Sequence, residues 1–225
     1  MKLINDIFYF SPSDLITYME SPFASWMEKS KLLDTSFQNL IDPEDEMLKL
    51  LQKRGYQHEN EYLIDLENKG KKIYKISSST PEEMEKETIQ AIEDGKDYIA
   101  QGYLSLEGFS GFADLLVKVE GDSLLGTYHY EVWDIKLSGK MKPYFAIQLC
   151  CYSEMLKKVQ GVLPLNISII LGNKQQQVLK LNQYYNYYQS FKSSFLEFHQ
   201  NYNFQLKPDP ASSRDYGRWS KYADN

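Results

Sequence analysis

The chain has 225 residues, enough for one good-sized domain, and its 42% hydrophobic and 14% aromatic content exclude wholesale disorder. The net charge of −6, from 25 Lys+Arg against 31 Asp+Glu, lacks the global basic footprint of a nucleic-acid binder, although a local basic patch stays open. The only cysteines, Cys150 and Cys151, are adjacent, which excludes a disulfide scaffold and the spaced ligands of a zinc site.

The N-terminal stretch MKLINDIFYF is too short and too interrupted for a secretory h-region. No run approaches the roughly 18 apolar residues of a membrane span. Together with free thiols, this sets the expectation of a cytoplasmic protein without a membrane partner.

In SPSDLITYMESPFASWMEK, Ser11 caps a helix, Pro12 suits its first position and Asp14 completes a capping-box spacing; Pro22 interrupts it. A longer helix is predicted over residues 43–68, with Met47, Leu48, Leu51, Tyr62, Leu63 and Leu66 as its apolar positions and Gly70 as its stop. The segment PEEMEKETIQAIEDG reads as an acidic, solvated helix. YIAQGYLSLEG, FSGFADLLVKVEGD and GTYHYEVWDIKLSG then read as three strands of an antiparallel meander. The segment KPYFAIQLCCYSEMLKKVQG is a helix of about four turns ending at Gly161, followed by the strands LPLNISIIL and QQVLKL. A long helix, LNQYYNYYQSFKSSFLEFHQNY, and a proline-punctuated tail close the chain. This order predicts an α/β fold with a mixed central sheet flanked by helices, plus N-terminal helices. It forms one domain over residues 1–225: a mainly helical part at 1–96, a sheet with the chemical motifs at 97–181, and a helix and tail at 182–225.

The stretch EVWDIKLSGK poses the functional question. Asp134 and Lys136 project from one face of a strand with Val132, while Glu131, Trp133 and Ile135 take the other. Asp114 lies among apolar residues in the preceding strand, so pairing of the two strands sets Asp114 beside Asp134. Like charges repel and make a poor structural pair. They make a good site for Mg²⁺ or Mn²⁺. Lys136 beside such an ion could orient a water, favour its deprotonation, or steady the charge on a phosphate. The bland alternative is an Asp114–Lys136 salt bridge on a solvated face. Three features weigh against it. Gln148 and Tyr152 share one face of the next helix. His58 continues an apolar helical stripe through Met47, Leu51, Gly55, Tyr62 and Leu66, where a satisfied core histidine is the alternative reading. Lys140 and Lys142 in the loop after Lys136 could hold a phosphate backbone.

Taken in order, GYQHENEYL, GFADLLV, EVWDIK and QLCCY resemble the motifs of the PD-(D/E)XK nuclease superfamily, in its RecB-like branch, over roughly residues 10–220. The resemblance implies a restriction-endonuclease-like core and a Mg²⁺/Mn²⁺-dependent deoxyribonuclease. His58, Asp114, Asp134 and the backbone carbonyl of Ile135 would be metal ligands, with Asp114, Asp134 and Lys136 catalytic. Gln148 and Tyr152 would contact substrate or brace the site. DNA would be the substrate and a helicase domain or subunit a partner. A non-cleaving binding or scaffold module of a helicase–nuclease complex is the alternative, and a structural protein with an incidental D-x-K a third. Glu59 and Glu61 are assigned no chemistry, since they point elsewhere on the helix. Ser21 stands where many relatives carry the first cysteine of an iron–sulfur cluster, and the tail PDPASSRDYGRWSKYAD has none, so no cluster is expected. If that tail packs on the N-terminal helices, Trp219 and hydrogen bonds must replace the metal staple.

The tyrosine-rich final helix invites a base-stacking reading. Tyr184, Tyr188, Phe191, Phe195, Phe198 and Tyr202 nevertheless recur at core spacing, leaving only Tyr185 and Tyr187 for surface contact. His129 and His199 have no partner visible in the sequence.

Overall fold

The computed structural model describes residues 1–223, beginning with a hairpin of β1 (Lys2–Ile4) and β2 (Ile7–Tyr9). Its turn residues Asn5 and Asp6 both take positive φ, 49° and 63°, the geometry of a two-residue primed turn that matches strand twist. The first two helices, α1 (Pro12–Glu20) and α2 (Pro22–Leu33), flank Ser21. The Asp14 carboxylate accepts from the Ser11 backbone N–H at 2.8 Å and from its hydroxyl at 2.7 Å, and Ser21 caps α2 through the N–H of Ala24.

Next come α3 (Glu46–Asn68), β3 (Ile73–Lys75), α4 (Pro81–Glu93), β4 (Tyr98–Leu106), β5 (Phe109–Ser123) and β6 (Gly126–Ile135). They are followed by α5 (Pro143–Gln160), β7 (Asn166–Ile170), β8 (Gln176–Lys180), α6 (Asn182–Gln200) and the short α7 (Ser220–Ala223). The long helix of residues 43–68 thus starts later than expected, at the cap Asp45, and β1, β2 and β3 are additions to the predicted elements.

Strands β3 to β8 form one six-stranded sheet in chain order. The β4–β5–β6 meander and β7–β8 are antiparallel; β3–β4 and β6–β7 are parallel. The α/β architecture with a mixed central sheet flanked by helices is the one the sequence predicts. On one face α1, α4, α5 and α6 bury Leu15, Ile92, Leu149, Met155, Tyr188 and Phe195 against Ile99, Leu116, Tyr130 and Val132. On the other, Tyr62, Leu63 and Leu66 of α3 cover Ala100, Leu115, Val117 and Ile135. The first half of α3 overhangs this second core. Met47, Leu48 and Leu51, expected on its buried stripe, are 62%, 53% and 48% exposed, because no sheet lies beneath them.

Cys150 and Cys151 are free and buried in α5, and burial pushes both thiols up to about 12. Along α6, Tyr188 and Phe195 are fully buried, Tyr185 packs partly against the core, and Tyr187 stays 60% exposed. His199 does have a partner, Ser25 at 3.0 Å, supplied by α2 far away in sequence. No helix among the described residues is long and apolar enough to cross a membrane.

The tail returns to the N-terminal helices. Ser21 donates to the Ser213 hydroxyl at 2.9 Å, and the Arg214 N–H to the carbonyl of Glu20. Trp219 is fully buried against Phe23, Ala24, Trp26 and Met27. Glu28 fastens this arrangement, accepting from Arg218 Nε at 2.7 Å and from Trp219 Nε1 at 3.0 Å. Burial opposes the charge of Glu28, and Arg218 overcomes it, holding the carboxyl below its ordinary range. The clamp therefore stabilises the fold at neutral pH and weakens as Glu28 is protonated in acid. Glu28→Gln is expected to cost about 1.5–3 kcal/mol, the worth of hydrogen bonds to a charged group. Thermal melting, with limited proteolysis of the tail, measures it.

Candidate metal and substrate site

The β5–β6 register pairs Leu115 with Trp133, which sets Asp114 directly across from Asp134. The backbone N–H of Ile135 donates to Asp114 Oδ2 at 2.8 Å, fixing that carboxylate over the end of β6. Asp134 is 2% exposed; its Oδ1 lies 2.9 Å from Lys136 Nζ, and its buried Oδ2 has no partner. The close ion pair is thus Lys136 with Asp134, rather than with Asp114. Lys136 also donates to Gln148 Oε1 at 3.3 Å, which brings α5 into the cluster. Tyr152, one turn further along α5, hydrogen-bonds with Gln148. Its hydroxyl passes so close to β5 that a Cβ at Gly111 would stand 2.8 Å away, so this position requires glycine.

Burial pushes the Asp114 pKa well above the usual carboxylate range, and the charge of Asp134 raises it further, against the opposing pull of Lys136. Burial works against the Lys136 ammonium, but the charges of Asp134 and Asp114 prevail and raise its pKa. Tyr152 is also raised, by burial and then by the same two carboxylates.

Sequence reasoning sets Glu59 aside as pointing elsewhere on the helix; the structure turns its carboxylate toward Gln101 of the sheet. Glu59 sits half-buried on α3, accepts a hydrogen bond from Gln101 Nε2 and adds its negative charge to the field at Asp114. Burial raises its own pKa, as does the charge of Asp134, with Gln101 and Lys136 opposing. The pattern H-E in GYQHENEYL carried the signal, but helical spacing alone could not say which neighbouring element α3 would meet.

His58 is buried beside Glu59 with Nε2 unpartnered, and bonds to neither aspartate. Lys140 is exposed, its carbonyl accepting from Ser138 Oγ. Lys142 is also exposed, with its ammonium 5.5 Å from the Tyr144 ring centre. Neither lysine is bonded to a carboxylate of the pair. Among the described residues no group of three or more His, Cys, Asp or Glu side chains is close enough to cage a metal ion. The donor set is a pair. A pair suits Mg²⁺, which commonly takes one or two carboxylates and completes its shell with water and substrate phosphate. The orphaned Asp134 Oδ2 and the strained charge state of Asp114 both fit such an ion. No protein-family model matches the chain, and no curated protein is significantly similar to it.

Since Asp114 is raised on folding, its ionised form destabilises the fold at neutral pH, and the penalty fades as pH falls through the folded pKa. Asp114→Asn keeps an acceptor for Ile135 and removes the repulsion. Without divalent cations it is expected to melt about 2–4 °C higher than the parent, the shift that ~1 kcal/mol produces in a chain of this size. Differential scanning calorimetry in chelator measures it.

Proposed function

We propose that this chain is a Mg²⁺- or Mn²⁺-dependent nuclease that hydrolyses phosphodiester bonds in DNA. The observation that carries the reading is the cross-strand Asp114–Asp134 pair, with Lys136 bonded into it and one buried carboxylate oxygen left over. Asp114 and Asp134 would hold the ion, with His58 and the Ile135 carbonyl as the further donors implied by the resemblance to RecB-like nucleases. When bound, the ion supplies Lewis acidity at the phosphate and an attacking water of lowered pKa.

Lys136, bonded to Asp134 Oδ1 and to Gln148 Oε1, is placed to donate hydrogen bonds and charge to a phosphate held at the pair. Gln148, accepting from Nζ, aims that ammonium, and Tyr152 braces Gln148 from the next turn. Lys140 and Lys142 stand exposed in the adjoining loop, where they suit the backbone of a bound strand. DNA as substrate and a helicase as partner come from the resemblance. An acidic chain that takes its DNA affinity from a partner is consistent with the net charge of −6. The two unpaired thiols suit a cytoplasmic setting.

Purified protein is expected to degrade plasmid or single-stranded DNA with Mg²⁺ or Mn²⁺. Asp134→Ala and Lys136→Ala are each expected to lower the rate by about 100-fold or more, the usual loss for a positioned electrostatic group. Full activity in either variant overturns the assignment. DNA binding without cleavage under every metal tested would instead favour the non-cleaving module.

A further inference from the structure

Beyond the carboxylate pair, β4 and β5 run on together toward the N-terminal hairpin and carry aromatic residues that have no part in the site described above. At Gln101, whose φ is 55°, and at Asp114 the alternation of side chains slips by one. Ile99 and Gly102 face the same core three residues apart, as do Ala113 and Leu116. Past this slip the alternation is regular. Gly102 and Leu104 turn to the larger core, as do Gly111 and Ala113, so the cross-strand pair between them, Tyr103 and Phe112, faces the other side. On that side α3 covers these two strands only as far as Ala100 and Leu115, and Phe112 is left 42% exposed.

The rings of Tyr103 and Phe112 meet edge to face, with centroids 5.0 Å apart and planes at 66°. The hairpin adds a third ring. Phe10 bridges to Phe109 in parallel, and the Ser110 N–H donates to the Phe10 carbonyl at 2.9 Å; this docks Tyr9, itself 36% exposed, beside the same stretch of β5. Tyr9, Tyr103 and Phe112 border a cavity of about 200 Å³ whose walls also include Ser11, Ser110 and Gly111. Lys2, paired with Tyr9 across the hairpin and exposed, lines it as well. Gly111 joins this cavity to the candidate site, because the Tyr152 hydroxyl packs against its other side. Phe112 and Asp114 are two residues apart on β5, roughly 7 Å of strand.

Aromatic faces open to water, hydroxyls between them and a lysine at the rim match the chemistry of an unpaired nucleotide, which offers a π-face, a polar edge and a negative phosphate. A base inside a duplex has its faces stacked and its edge paired, so it cannot enter such a cavity. We infer that this cavity is a nucleobase subsite: Tyr9, Tyr103 and Phe112 take one unstacked base of a single strand whose backbone continues to the Asp114–Asp134 pair. The inference rests on the proposed reading of that pair as the place where a nucleic-acid backbone binds, and it narrows the substrate to a single strand.

Fluorescence anisotropy with a labelled oligothymidylate, free or annealed to oligoadenylate, tests it in chelator and with Ca²⁺, alongside cleavage of the same oligonucleotides in Mn²⁺. Wild type is expected to bind the single strand more tightly than the duplex. Phe112→Ala is expected to weaken single-strand binding about 10-fold, the scale of one base–aromatic stack, and to leave duplex binding unchanged. Phe112→Leu, which keeps apolar bulk without a π-face, is expected to fall with it, and Phe112→Trp to bind as wild type does. Since water already reaches Phe112, all three are expected to melt close to wild type; should Phe112→Ala not fold, Phe112→Leu carries the comparison. Wild-type affinity in Phe112→Ala, restoration by leucine as full as by tryptophan, or an equal loss on the duplex each overturn the inference. If wild type cuts the oligonucleotide while Phe112→Ala binds it normally, only the base subsite fails. If binding follows the Phe112 pattern and no metal supports cutting, the nuclease reading fails and the subsite stands in a non-cleaving module. If wild type neither binds nor cuts, both fail.

Discussion

Two aspartates held face to face across a strand pair are the constraint around which the centre of this protein is arranged. Left to themselves, Asp114 and Asp134 would repel, with Asp134 buried and Asp114 half-buried beside it. The surrounding groups answer that repulsion one by one. Ile135 offers its N–H to Asp114, Lys136 offers its ammonium to Asp134, and Gln148 accepts from the lysine. One buried oxygen is still unsatisfied, and one carboxyl keeps a raised pKa. A site in which the protein's own groups nearly but not fully compensate the charge is suited to an added cation and an anionic substrate.

The fold makes this meeting possible by letting elements from both faces of the sheet reach one point. α5 approaches from the larger core with Gln148 and Tyr152, and Gly111 opens the space that Tyr152 needs. α3 approaches from the smaller core with His58 and Glu59. A regular β4–β5 pair would keep these contributions apart, since alternating residues address opposite faces. The paired slip at Gln101 and Asp114 breaks that separation where the carboxylates lie.

Away from the site, the N-terminal helices and the tail form a third packed cluster, closed by Trp219 and the Glu28 clamp. The Ser21–Ser213 contact joins segments 192 residues apart. Fixing the tail there ties α2 and the segment around Trp219 to one cluster, so the loop-closure cost is met by a fully buried aromatic and charge-assisted hydrogen bonds.

Much of this was legible in the residues because it depends on local periodicity. The meander, α5, the capping of α1 by Ser11 and Asp14, and the Gln148–Tyr152 face all follow from spacing of four residues or fewer. The Asn5–Asp6 turn was equally local and marks a hairpin that strand pattern alone leaves too short to notice. What spacing cannot supply is where a periodic face ends up. Met47, Leu48 and Leu51 continue the stripe of Tyr62 and Leu66 and still face water, because the sheet ends beneath them. Glu59 looks like a solvated helical acid until the left-handed Gln101 meets it across 42 residues. The sequence by itself determined which segments become most of the strands and helices, and that two acids fall on neighbouring strands with a lysine just past the end of the second, since these are properties of adjacent side chains. Only the tertiary structure decided which lysine–aspartate pair forms, which helical acid meets the sheet and which apolar residues are covered, because each depends on a surface that distant parts of the chain bring together.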